Sequence, residues 1–216
     1  MYHQLIESTT PFDVVILAGG SYPTHPLPRA ILTQASHIVC CDSAFQLLEP
    51  SLISRMEAIV GDGDSLPAPL KLKYQSLLHI ESEQEDNDLT KATRYCRTKG
   101  YRRLAYLGTT GKREDHALGN ISLLVEYIRV DDVQPIIITD YGTFVACKDD
   151  ATFESFARQQ VSIFNIGCTQ LTSEGLKWDT YVFKNWWQGT LNEATGSAFT
   201  IHADGPYLVY RTHEAK

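Results

Sequence analysis

Apolar positions along the first two-thirds of the chain fall into short uninterrupted runs, each closed by a turn residue and followed by a stretch of helical spacing. "DVVILAGG", "HIVCCDSA", "EAIVGDGDS", "RRLAYLGTT" and "QPIIITD" read as buried strands, with "LLHIES" as a short strand or sheet edge. Between them, "LPRAILTQAS", "AFQLLEPSL", "APLKLKYQSLL" and "NDLTKATRYCRTKG" read as helices, the last opened by a capping Asn or Asp and closed by Gly100. Leu118, Ile121, Leu124, Val125 and Ile128 recur at helical spacing and predict an amphipathic helix over 114–129. Strands that are apolar throughout, alternating with helices, imply an α/β unit: a doubly wound, mostly parallel sheet with helices on both faces. Near residue 140 the pattern changes. "TFVACKD", "QVSIFNIG", "TYVFKNWWQGT", "AFTIHADG" and "PYLVYRT" are short alternating segments between turns, which predict a small antiparallel β-sandwich or barrel. The expected domains are therefore 1–140, α/β, and 141–216, all β.

Composition narrows the function classes. The 216 residues carry 19 basic and 26 acidic side chains, a net charge of −7, which argues against nucleic acid or an anionic membrane as partner. Five scattered cysteines form no metal-binding spacing and suit reduced thiols in a cytoplasm. The opening residues lack a basic start, and their apolar run is too short to span a bilayer, so a cytoplasmic protein is expected.

Ligands of an open parallel sheet bind beyond the carboxyl ends of its strands. There this sequence places Gly19-Gly20-Ser21, Asp42-Ser43, Asp62-Gly63-Asp64-Ser65, "ESEQEDNDLTK" and Gly108-Thr109-Thr110-Gly111-Lys112-Arg113. Turn chemistry accounts for any one of these; five on one edge favour a site. Asp62 and Asp64, two apart, would share one face of extended backbone, although an Asp-Gly turn is the better explanation of this stretch taken alone. Asp42, Asp62, Asp64, Glu85, Asp86 and Asp88 together suit Mg²⁺ and phosphate, although 81–88 also reads as a solvated acidic loop. "GTTGKRED" offers backbone N–H groups and cations before a helix start, a phosphate-binding arrangement that is neither a P-loop nor a dinucleotide fingerprint. His116 reads as a hydrogen-bonded structural histidine.

In order, "LAGG", "CDSA", "GDGDS", "EQEDNDLTKA", "GTTGKREDHALGN" and "GLKW" resemble the thiamin pyrophosphokinase (thiamine diphosphokinase) family over most of the chain. The resemblance implies transfer of a pyrophosphoryl group from ATP to the thiamin hydroxyl, giving thiamin diphosphate and AMP. It implies a homodimer with an ATP-binding α/β domain and a β-sandwich thiamin-binding domain, the active site lying between subunits. Carried onto these positions, Asp62, Asp64, Asp88, Arg113 and Asp115 are the catalytic candidates, and Asp62, Asp64, Glu85 and Asp88 the Mg²⁺ ligands. Gly20, Asp42, Lys91, Thr110, Gly111, Lys112 and Arg113 are candidates for ATP, and Trp178, Thr190 and Asn192 for thiamin. Trp186 and Trp187 are further aromatic candidates; as neighbours in a strand, one of the two rings would enter the core. The chain departs from the family at Ser43-Ala44, where two glycines are common, at Glu85, where Asp is usual, and at Leu191, where serine is expected. Two rivals stay open: another Mg²⁺-dependent nucleotide enzyme of nucleotidyltransferase type, and a non-catalytic nucleotide or thiamin sensor.

Overall fold

The structure is a computed structural model that describes residues 1–129 and 133–216. The elements run β1 (Tyr2–His3), β2 (Val14–Leu17), α1 (Pro26–Gln34), β3 (Ile38–Cys41), β4 (Met56–Gly61), α2 (Ala68–Lys73), β5 (Leu78–Ile80), α3 (Asp88–Thr98), β6 (Arg103–Leu107), α4 (Glu114–Arg129) and β7 (Gln134–Ile138). Seven further strands follow: β8 (Gly142–Cys147), β9 (Ala151–Glu154), β10 (Gln159–Asn165), β11 (Leu171–Glu174), β12 (Asn192–Glu193), β13 (Ala198–Ala203) and β14 (Tyr207–Ala215). Two compact units result. One comprises Ser8–Leu123 and Val130–Asp140; the other comprises Met1–Glu7, Leu124–Arg129 and Tyr141–Lys216.

In the α/β unit the strands lie in the order β7-β6-β2-β3-β4-β5, every pair parallel. Every residue of β2 and β3 is buried, as continuous apolar strands require. α1 starts at Pro26, whose missing N–H is harmless at a helix entrance. α3 is capped by Asn87, whose side chain accepts from the Thr90 N–H at 3.0 Å. It packs on β2, β3 and β4, and the buried Thr93 hydroxyl contacts the Tyr106 hydroxyl on β6 at 2.9 Å.

Local chemistry overrides the sequence reading in three places. "AFQLLEPSL" forms two 3-10 segments, Asp42–Leu47 and Pro50–Arg55, instead of an α-helix, because Pro50 disfavours helical backbone at Glu49. α4 has the expected limits, but Leu118 is 53% exposed; the buried side chains are Leu124, Val125 and Tyr127. "TYVFKNWWQGT" contains no strand. Reciprocal bonds between Asn185 and Gln188 instead nucleate a 3-10 turn at Trp186–Gly189, and both tryptophans stay exposed rather than one entering a core.

In the β unit one four-stranded sheet runs β1-β9-β13-β11, and β12, β10, β14 and β8 lie side by side in a second sheet; the pairs are antiparallel except for β1 beside β9. The two-residue β1 pairs Tyr2 with Thr152 and His3 with Phe153. Phe153 stacks on Phe199 with ring centres 5.0 Å apart. Arg211, 2% exposed, reaches from β14 to lie over Phe153 and donates to the carbonyls of Glu154, Gln4 and His3. That guanidinium fastens the two sheets and the N-terminal segment together.

Candidate active site

At the carboxyl ends of β2, β3, β4 and β6 the α/β unit encloses a cavity of about 660 Å³. Its wall takes Gly19 and Gly20 from β2, Asp42 from β3 and Asp62 from β4. The 84–88 loop borders it on one side, and Thr109, Thr110, Lys112 and Arg113 on the other. The turns after β2 and β6 are stitched together. Gly20 N–H donates to Gly108 O at 2.6 Å, Ser21 N–H to Thr110 O at 2.8 Å, and Lys112 Nζ to Gly19 O at 2.8 Å. A Cβ at Gly20 would strike the Thr110 and Gly108 carbonyls, so this crossing needs glycine. Gly111 belongs to the same turn, its carbonyl accepting from Ser21 Oγ at 2.9 Å.

The acids divide into distinct environments. Asp42 is buried and holds φ at +41°, a strained backbone setting that Asp tolerates better than most residues. Its Oδ2 accepts from the Ser65 hydroxyl, while Oδ1 is buried with no hydrogen-bond partner. Asp88 is half-buried in the first turn of α3; burial raises its carboxyl pKa first, and the charges of Asp42 and Asp62 raise it further. Asp62 is held below the ordinary range, chiefly by the Asp64 N–H bonded to its Oδ1 at 2.9 Å, and secondarily by Gln84. That bond makes 62–64 an Asx turn through Gly63, at φ +75°. The chain is not extended here, so the two carboxylates do not share a face: Asp62 lines the cavity and Asp64 is exposed outside its wall. Glu85 and Asp86 line the cavity, but Asp86 is paired with Arg94 at 2.8 Å.

Opposite the acids stand the cations. Arg113 is 73% exposed and is bidentate to Asp115, which it holds down to about 2 by hydrogen bonding. Asp115 is thus an orienter of Arg113 and does not line the cavity. Thr110 and Lys112 lie on the wall, and the Thr109 hydroxyl is buried there with no partner. Asn120 joins the two sides, donating to Thr109 O at 2.8 Å and accepting from Asn87 Nδ2 at 3.3 Å. Lys91 reaches the wall from beneath, with its ammonium on the Glu81 and Glu83 carbonyls.

In the β unit, Asn192 is buried and grips the Trp178 backbone, accepting from its N–H at 3.2 Å and donating to its carbonyl at 2.9 Å. The Trp178 ring is half-exposed beneath Lys177 Nζ at 4.8 Å. Thr190 donates to Trp187 O at 2.7 Å, and Leu191 beside it has φ +64°. Trp178, Tyr181, Trp186, Trp187 and Leu191 are all substantially exposed on this unit.

Two sequence profiles match the chain in this order of units. One, described as thiamin pyrophosphokinase, catalytic domain, matches residues 28–138; the other, described as thiamin pyrophosphokinase, substrate-binding domain, matches 142–210. The chain belongs to the thiamin pyrophosphokinase family. Its enzyme activity is that of a thiamine diphosphokinase. Solved structures agree in fold. Thiamin pyrophosphokinase from Candida albicans is 18% identical, with a TM-score of 0.76 over 99% of this chain and 92% of that one. The Bacillus subtilis enzyme is 20% identical with a TM-score of 0.74, covering 92% and 98%. The yeast enzyme is 16% identical with a TM-score of 0.74, covering 98% and 90%. No curated protein sequence matches this chain. Among the described residues no helix is long and apolar enough to cross a membrane.

The sequence reading named Asp42 and did not single out Thr109; the structure adds an unpartnered atom on each of these wall residues, Asp42 Oδ1 and Thr109 Oγ1. Both are recognisable by being buried, polar and unpartnered, a property only tertiary structure creates.

Proposed function

We propose that the α/β cavity binds ATP with Mg²⁺ and that the protein transfers the β,γ-pyrophosphoryl group to the thiamin hydroxyl, releasing AMP. The observation that carries the reading is the cavity's polarity. One wall has Asp42 and Asp88 in mutual repulsion, with an orphaned carboxylate oxygen; the other has Lys112, Arg113 and an orphaned hydroxyl. A carboxylate oxygen buried without a partner beside other carboxylates fits a hard cation. Among the described residues no three acids, thiols or imidazoles form a ready-made metal cluster. Mg²⁺ takes one or two carboxylates and fills its shell with water and substrate phosphate. Two of these carboxylates, Asp88 with Asp62 or Asp42, would hold it, Glu85 standing at the rim; Asp64 would act from outside, through its N–H on Asp62. When bound, the ion neutralises phosphate charge and orients the triphosphate.

The residues of the chain do the rest. Arg113, kept cationic and aimed by Asp115, binds phosphate oxygens in a fork, and Lys112 adds a second positive charge. The Thr109 hydroxyl and the N–H groups of the turn after β6 complete the phosphate cradle. On the β unit the cationic thiazolium is drawn to exposed aromatic faces, with Trp178 held in place by Asn192. The aromatic density of this surface favours a homodimer whose active site lies between subunits. We read the α/β unit as doubly wound and the β unit as a sandwich. Five buried free cysteines suit a cytoplasmic enzyme.

The test incubates the protein with thiamin, ATP and Mg²⁺ and identifies the products. AMP and thiamin diphosphate support the reading. Free pyrophosphate would point to nucleotidyl transfer, and no turnover with tight ATP binding to a sensor.

A further inference from the structure

Lys91 has an ammonium that is both buried and already occupied. Its side chain is 2% exposed, and Nζ donates to Glu83 O at 2.6 Å and to Glu81 O at 3.0 Å. A third partner, Glu83 Oε1, lies 3.9 Å away. A lysine ammonium has three donors, so little of this one remains for a ligand. Moving it onto a phosphate would strip two loop carbonyls of a charged donor, the kind of hydrogen bond that contributes most to stability.

Both acceptors lie in the segment that leads into the 84–87 wall of the cavity. Arg94, one helical turn further along α3, grips the same segment from outside, through Glu81 at 2.6 Å, Asp86 at 2.8 Å and Glu83 at 3.2 Å. The two cations differ in kind. Arg94 holds side chains at a half-exposed position, where screening weakens ion pairs. Lys91 holds the backbone, from a helix fixed to β6 by Thr93 and Tyr106.

We propose that Lys91 is a positioning residue rather than a phosphate ligand: its buried ammonium ties the backbone of the acidic loop to α3 and so sets where Gln84, Glu85 and Asp86 stand at the cavity. The proposal rests on the reading of this cavity as the ATP site. It predicts that loop order and turnover depend on Lys91 while ATP affinity does not.

The experiment compares wild type with Lys91→Met, and with Lys91→Gln should the first variant not fold. Native protein is treated with a glutamate-specific protease, which cuts after Glu81, Glu83 or Glu85 faster when the loop leaves its bound conformation. Cleavage there is expected to accelerate at least about tenfold. Steady-state kinetics should show kcat lowered at least about tenfold with KM for ATP within about threefold. A KM for ATP raised tenfold or more while the loop stays protected would make Lys91 a phosphate ligand and overturn the proposal. Unchanged cleavage with unchanged kcat would also overturn it. If wild type shows no ATP-dependent turnover, the ATP reading fails, and the cleavage rates alone still decide the clamp.

Discussion

Replacing Arg211 by Met should destabilise the protein more than any single change at the cavity. The guanidinium donates to three backbone carbonyls, at 2.5 Å on Glu154, 3.0 Å on Gln4 and 3.3 Å on His3, and it lies 5.4 Å from the Phe153 ring centre. Burial costs this cation enough to pull its pKa down to about 10. Hydrogen bonds from a charged donor contribute roughly 1.5–3 kcal/mol each, and the longest of these three counts for less. Desolvating the cation offsets several kcal/mol of that gain, and methionine keeps the apolar stem against Phe153. The net loss is about 2–4 kcal/mol, because three carbonyls lose their donor at once. For a chain of this length that lowers the melting temperature by roughly 5–15 °C. Arg211→Lys, with the charge but not the fork, should lie between the two. Thermal unfolding followed by near-ultraviolet circular dichroism measures all three proteins. A Met variant melting within about 2 °C of wild type would mean that water replaces the guanidinium, and the reasoning would fail.

Asp88→Asn should stabilise the metal-free protein at pH 7. The folded pKa of Asp88 is raised, so its ionised form costs stability above that pKa, and the cost disappears as pH falls through it toward 3.8. The gain should appear as a higher melting temperature at pH 7, and melting curves in chelator should converge near pH 4; equal melting at pH 7 would remove the repulsion. Gly20→Ala forces a Cβ into two backbone carbonyls and should cost about 1–3 kcal/mol along with most activity, read by melting temperature and turnover. Arg113→Ala should raise KM for ATP about tenfold and leave KM for thiamin unchanged; the reverse split in steady-state kinetics would move Arg113 away from the phosphates.

The parallel strands were legible because β2, β3 and β6 are apolar at consecutive positions, a pattern that burial on both faces demands. α3 was legible through its local punctuation, Asn87 at one end and Gly100 beyond the other. What escaped depends on contacts distant in sequence or on one dihedral angle. β1 is two residues long and becomes a strand only beside Thr152 and Phe153, some 150 residues away. The two-residue periodicity that put Asp62 and Asp64 on one face breaks at Gly63, where the chain turns with positive φ. The Trp186-Trp187 pair has strand-like composition, yet the capping exchange between Asn185 and Gln188 decides its conformation locally. Lys91 read as a phosphate candidate from its type and neighbourhood. Its burial, which redirects the ammonium to loop carbonyls, has no signature in the pattern.

The stitching of the turns after β2 and β6 bears on how a nucleotide enters. Gly20, Ser21 and Lys112 tie two separate loops into one piece through backbone carbonyls before any ligand arrives. A loop ordered during folding need not be ordered again at each encounter, so association with this wall carries little entropic penalty. The acidic loop on the facing wall is held mainly by side chains, Lys91 and Arg94 from α3, with Gln84 on Asp62 and Asn87 on Asn120 of α4. On the reading proposed above, the triphosphate would meet a wall that is already ordered, and any adjustment of the site would fall to the acidic loop.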